Sequence, residues 1–193
     1  FQPLGKGPAP KVNDEAWIRD DLDRYVLARL ERAGQRPSAE ADRHAWLRRT
    51  TFAFTGLPPT PKEIAAFVAD DRSDAFERVV DRLLDSPEFG VHWGRHWLDL
   101  VRYAETNSFE RDNPKPFVWR YRDYVIRAFN DDVPYNQFVL EHLAGDLLPK
   151  PRVNEKEQWN ESIQATGFQW LGEAKQAPVD VKQEQADRID NQI

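Results

Sequence analysis

Between Gly90 and Tyr103 the chain reads Gly-Val-His-Trp-Gly-Arg-His-Trp-Leu-Asp-Leu-Val-Arg-Tyr, and this stretch holds the side chains best suited to chemistry. On a helix, His92, His96, Asp99 and Tyr103 share one stripe, while Trp93, Trp97, Leu100 and Ala104 share the next and are expected to hold the helix against a core. Two His at i and i+4 can converge on a metal ion. A zinc site needs further ligands, and the zincin Glu is missing because Trp93 follows His92, so no metal site is expected. An imidazole, a carboxylate and a phenol on one stripe can also move protons or grip a polar group. His96, Asp99 and Tyr103 are therefore the candidate cofactor-contacting residues, with catalytic residues unassigned. The plainer reading makes His96 a half-buried residue hydrogen-bonded to Asp99 or a nearby carbonyl, beside a Trp-lined core. The sequence leaves both open.

A second cluster runs from Phe117 to Ile126 as Phe-Val-Trp-Arg-Tyr-Arg-Asp-Tyr-Val-Ile. Aromatics interleaved with Arg can stack on bases or sugars. Tyr121, Val125 and Phe129 nevertheless recur at core spacing, and Arg122 with Asp123 reads as an ion-paired face. The carboxylates of Asp131 and Asp132 precede Pro134 and are expected to charge the N-terminus of the next helix. No Gly-rich phosphate loop and no nucleophile elbow occurs, and spacing cannot select a glycosidase pair from 33 Asp and Glu.

These residues must be positioned by a chain of 193 residues that is 40% hydrophobic, with seven Trp and eleven Phe, enough to build a core. A formal charge of −6 argues against a nucleic-acid surface. No run approaches the length of a membrane span, and Phe1-Gln2-Pro3-Leu4 lacks the apolar stretch of a signal peptide. With no Cys, the chain has no thiolate zinc site, disulfide or haem attachment of its own. With no Met, a first residue Phe1 and a last helix lacking a capping Gly, both ends read as cut from a longer protein.

Pro3, Gly5, Gly7, Pro8 and Pro10 make residues 1–13 an extended Pro-rich arm. Residues 14–193 read as one helical domain, expected to continue past Ile193. Ile18, Leu22, Val26 and Leu30 recur every four residues up to Gly34. Ser38 is expected to cap a helix ending at Gly56, and Thr60-Pro61-Lys62-Glu63 is a capping box with Pro at the first turn. Ser73 is expected to cap the next helix. Ser86-Pro87 opens another, expected to reach about Glu105. After a polar loop over 106–116 come helices at about 117–129 and 134–144, one around Trp159 to Leu171, and a last from about Val179. Alternation never persists long enough for a strand. The predicted fold class is all-α, an irregular or orthogonal multi-helix bundle.

The chain resembles the planctomycete cytochrome-c-associated domain of unknown function, found in large exported proteins. The resemblance rests on Leu57-Pro58-Pro59-Thr60-Pro61, on Arg95-His96-Trp97-Leu98-Asp99-Leu100 with Arg102-Tyr103-Ala104-Glu105, and on Trp119 to Ile126. It extends to Pro134-Tyr135, Phe138, Leu143-Ala144-Gly145-Asp146 and Ala165-Thr166-Gly167-Phe168. It implies periplasmic or extracellular location, an adjacent cytochrome c domain, a further downstream domain, and haem c in the full-length protein, with none bound covalently here. Two function classes follow. The first is a helical module of a haem-c-linked electron-transfer protein that packs against or lines a haem c bound outside this stretch, with His96, Asp99 and Tyr103 at the contact. The second is a domain of a periplasmic dehydrogenase or hydrolase acting on polysaccharide-derived sugars, with His96, Asp99 and Arg102 in its cleft.

Overall fold

Local hydrogen bonds set most of the helix ends. The computed structural model describes residues 7–107, 112–172 and 180–190, and the chain divides into two compact units, Phe1–Asp42 and Arg43–Ile193. In the first unit a 3-10 turn, Glu15–Trp17, precedes α1, Asp21–Arg32. The Asp20 carboxylate caps α1 by accepting from the N–H groups of Leu22 and Asp23 at 2.8 and 3.1 Å. Gly34, at φ +67°, ends it in the left-handed conformation that glycine adopts without steric cost. Residues 7–13 form no helix, and Asn13 donates its backbone and side-chain N–H groups to the Glu31 carboxylate. The other residues of the expected arm lie outside the described ones.

In the second unit, α2 (Arg43–Thr55), α3 (Pro61–Val68) and α4 (Ala75–Leu84) enclose Leu47, Phe67, Ala75, Val79 and Leu83. The expected capping box opens α3: Thr60 Oγ1 accepts from the Glu63 N–H at 3.3 Å, and the Glu63 carboxylate accepts from the Thr60 N–H at 2.7 Å. Two expected caps are corrected. α2 begins at Arg43, beyond the reach of Ser38, and α4 follows Asp74, whose side chain makes no capping bond, rather than Ser73.

The second core lies among α5 (Pro87–Leu100), α6 (Trp119–Asn130), α7 (Tyr135–Ala144) and α8 (Glu161–Ala165), which continues into a 3-10 turn, Thr166–Trp170. Tyr121, Tyr124, Val125, Ala128, Phe138, Ala165 and Leu171 are buried there. The last helix, α9, spans Val181–Asp190. Among the described residues the only β pairing is two isolated bridges, so the fold is all-α, an irregular multi-helix bundle.

Of the Trp stripe expected to hold α5 against the core, Trp97 packs there, but the most buried positions of the helix lie elsewhere. Gly90 and Gly94 are its buried residues, with Trp97 and Leu98 half-buried beside them. The absence of side chains at the two glycines lets α6 come close: the Gly90 N–H donates to Asn130 Oδ1 at 2.7 Å, and Asn130 Nδ2 donates to the Pro87 carbonyl at 3.2 Å. Trp93 is instead 40% exposed and Leu100 76% exposed. Asp131 and Asp132 also differ from expectation. They close α6, with Asp132 at φ +48° and the Val133 N–H returning to the Ala128 carbonyl, so they lie at a helix C-terminus.

Candidate docking face and the network beneath it

The outer face of α5 carries the residues singled out from the sequence. His96 and Asp99 are both exposed, and no hydrogen bond joins His96 to another described residue. Its ring lies 5.4 Å from that of His92 and 5.3 Å from that of Trp93. The reading of His96 as a half-buried, hydrogen-bonded histidine is thereby corrected. His92 has a packing role: its ring sits on Gly56, where an added Cβ would meet Nδ1 at 2.6 Å. No group of three or more His, Cys, Asp or Glu among the described residues is placed to hold a metal.

Tyr103 does not continue the stripe, because α5 ends at Leu100 rather than near Glu105. Arg102 takes φ +54°, and the N–H groups of Tyr103 and Arg102 return to the carbonyls of Leu98 and Asp99. This is the Schellman closure with Arg where Gly is usual, so sequence carries little signal for it. The phenol of Tyr103 turns to Glu105, donating to Oε1 at 3.0 Å, and the same oxygen accepts from Arg122 at 2.9 Å. Burial, with Glu105 assisting, pushes that phenol up to about 12. His96 and Asp99 thus share one exposed face, and Tyr103 belongs to a separate ion-paired cluster.

One turn beyond His96, Leu100 forms the rim of a cleft of about 400 Å³ between the end of α5 and α7. Tyr135 and Leu143 form the other rim, and the three rim residues are 76, 73 and 66% exposed. The floor includes Trp97, Phe168 and His142, the last only 4% exposed. None of the lining residues is Asp or Glu.

A directional chain of hydrogen bonds lies under this floor. His142 Nδ1 is 2.7 Å from the Phe138 carbonyl, which can only accept, so Nδ1 carries the proton. In the neutral ring Nε2 must then accept, and the Tyr121 hydroxyl donates to it at 2.9 Å. The same hydroxyl accepts from the Trp97 indole N–H at 2.9 Å. Burial holds the His142 imidazole below its ordinary range, against the pull of the Phe138 carbonyl and the Glu141 charge, and drives the Tyr121 phenol upward. Neither Tyr121–His142 nor Trp97–Tyr121 was legible beforehand, since the partners lie 21 and 24 residues apart.

The protonation of His142 sets an acid sensitivity. A folded-state affinity for protons below the unfolded one means that unfolding takes up a proton, so this contribution is complete above about pH 6.5 and falls as the pH drops below it. Unfolding free energies measured from pH 7.5 down to 5.5 are expected to decline by at most about 1.4 kcal/mol per pH unit from this one group. The His142→Gln variant, less stable throughout, is expected to lose that slope. An unchanged slope would remove His142 as its source.

A family model described as PSCyt2, protein of unknown function (DUF1549), matches residues 21–193. No curated protein and no solved structure matches the chain.

Proposed function

From the premise that this chain belongs to the PSCyt2 family, a domain of unknown function whose name associates it with cytochrome c, we propose that it is a helical docking module of an exported, haem-c-linked electron-transfer protein. The partner is a haem-c domain of the same protein, outside these residues, and a further domain follows downstream. The supporting observation is that the exposed His96 and Asp99 lead along α5 to a mostly apolar cleft, rimmed by Leu100, Tyr135 and Leu143 and lined in part by Arg102. Exposed apolar rims of this kind mark interaction surfaces. Covering them excludes water from the contact, and His96 is free to meet a polar or metal-bound group of the partner.

The residues do not fit a haem attached covalently to this chain. There is no Cys for thioether attachment, and both ring nitrogens of His142, the imidazole in the cleft floor, are occupied. They fit contact with a group carried by another domain. The alternative, a dehydrogenase or hydrolase acting on sugars, calls for acid and base groups converging in a cleft. The cleft beside α5 supplies no carboxylate, which favours docking over catalysis.

The full-length protein tests this through the visible spectrum and midpoint potential of its haem. Exchanging Leu100 and Leu143 together for Asp brings charge and water to the contact, and is expected to shift the potential while helical circular dichroism stays unchanged. In His96→Ala, loss of a low-spin signature identifies His96 as an axial ligand, and a potential shift without it identifies a contact residue. If neither protein differs from wild type in spectrum or potential, the docking reading fails.

A further inference from the structure

Trp97, Tyr121 and His142 form one hydrogen-bonded chain that begins at the cleft beside α5. Trp97 lines the cleft, and its indole N–H reaches the Tyr121 oxygen at 2.9 Å, so a single hydrogen bond separates the cleft lining from the phenol. The Tyr121 side chain is buried and donates to His142 Nε2 at 2.9 Å. The imidazole is buried and neutral, with its Nδ1–H committed to the Phe138 carbonyl, so Nε2 is an aligned base able to take one proton.

That alignment suits a particular chemistry. A phenol that loses one electron becomes a strong acid, so its oxidation is eased where a positioned base receives the proton. We propose that Tyr121 and His142 form a proton-coupled one-electron site that takes up oxidising equivalents arriving at the cleft. The oxidant is a strong one-electron acceptor, of the class of peroxide-derived radicals or ruthenium(III) polypyridines, and it removes an electron from Tyr121. The phenolic O–H bond breaks as the proton passes to Nε2. The products are a neutral tyrosyl radical, an imidazolium and the oxidant reduced by one electron. Return of an electron to Tyr121 draws the proton back and restores the pair. The imidazolium keeps its Nδ1–H bond to Phe138 and is favoured by the Glu141 charge, while the phenoxyl oxygen keeps the bond from Trp97.

The other tyrosines are less suited. Tyr124 donates to Glu141 at 2.7 Å, but Arg152, Gln137 and Ser162 hold that carboxylate in its charged form. The Arg152 guanidinium, 5.8 Å from the centre of the Tyr124 ring, also opposes loss of an electron there. Tyr103 donates to Glu105, which is already paired with Arg122. Tyr25 and Tyr135 are exposed. The site stands on its own hydrogen bonds and does not depend on the docking reading.

The test uses the 193-residue chain with ruthenium tris(bipyridine), brought to the ruthenium(III) state by a light flash in the presence of persulfate. Transient absorption and electron paramagnetic resonance should show a neutral tyrosyl radical in wild type. Because Tyr121 is buried, a nickel(II) chelate in the water should leave the relaxation of that radical unchanged, whereas a radical on Tyr25 or Tyr135 relaxes faster. Tyr121→Phe, which keeps the ring, should lose the signal, and Tyr124→Phe should retain it, both with helical circular dichroism unchanged. In His142→Gln the amide cannot take the proton, so radical formation should slow about a hundredfold, the lower end of what a positioned base contributes. The proposal is overturned if no tyrosyl radical forms or if the wild-type radical responds to the nickel chelate. It is equally overturned if the radical survives in folded Tyr121→Phe, is lost in Tyr124→Phe, or forms at an unchanged rate in His142→Gln.

Discussion

Replacing Arg152 with Ala is expected to destabilise the fold by about 3–5 kcal/mol, the cost typical of leaving a buried charge without its partner. The Glu141 carboxylate is fully buried and accepts from Arg152 Nε at 3.0 Å and Nη2 at 3.3 Å, from the Tyr124 hydroxyl at 2.7 Å, from Ser162 Oγ at 2.9 Å and from Gln137 Nε2 at 3.0 Å. Burial alone would push this carboxyl up. The hydrogen bonds from Arg152, Gln137, Tyr124 and Ser162 outweigh it and hold the group below its ordinary range. Without Arg152 the three neutral donors remain, but the charge loses its counter-ion in a region of low dielectric. Glu141 is then expected to bind a proton more readily. A loss of this size is a large share of a typical domain's total stability of about 5–15 kcal/mol. Urea unfolding of wild type, Arg152→Ala and Arg152→Lys measures it, and Lys, which keeps the charge without the planar fork, should fall between. A loss below about 1 kcal/mol in Arg152→Ala, the level of an exposed pair, would show that the ion pair is not holding α7 to the chain around Arg152.

The same network adds a second acid transition to that of His142. Glu161 is also buried; desolvation pushes it up, but Arg127, Asn154 and Trp159 hold its carboxyl below the ordinary range. Carboxyls lowered in the folded state contribute stability that is present above about pH 4.5 and lost as the pH falls through their folded values.

Gly90→Ala is expected to cost about 1–3 kcal/mol, although Ala for Gly in a helix ordinarily gains about 1 kcal/mol. A Cβ at Gly90 would press into the Ile126 carbonyl oxygen and lie 2.6 Å from Asn130 Oδ1. The first of these atoms is backbone of α6 and cannot turn aside, so the helices must separate and the Gly90–Asn130 hydrogen bond must lengthen. Gly94, one turn on, gives the internal comparison. Its Cβ would meet the Val125 side chain at 3.4 Å, an ordinary contact, so Gly94→Ala is expected to be neutral or to stabilise. Thermal unfolding of the two variants should therefore move in opposite directions or differ by several degrees. Equal shifts would mean that the approach of α5 to α6 does not depend on Gly90.

Sequence by itself determined the features whose hydrogen bonds close within one turn. The Thr60–Glu63 capping box, the Ser86-Pro87 start of α5 and the glycine stops at Gly34 and Gly56 are complete in three or four residues, so the residue types state them. The all-α class follows from the apolar spacing between those signals, and the order of motifs along the chain carried the family. Only tertiary structure decided which face of α5 is buried, because the choice rests on how near α6 approaches Gly90, from a position 40 residues away. It also decided the end of α5, where Arg102 holds a left-handed backbone conformation that residue type does not announce. Glu141 and Glu161 look like any others among 33 acidic residues until Arg152 and Arg127 reach them, 11 and 34 residues away. His96 and His142 likewise share a side chain but not a fate. The fold leaves the first in solvent and buries the second between Tyr121 and the Phe138 carbonyl, since burial is a property of the packed chain and not of the residue.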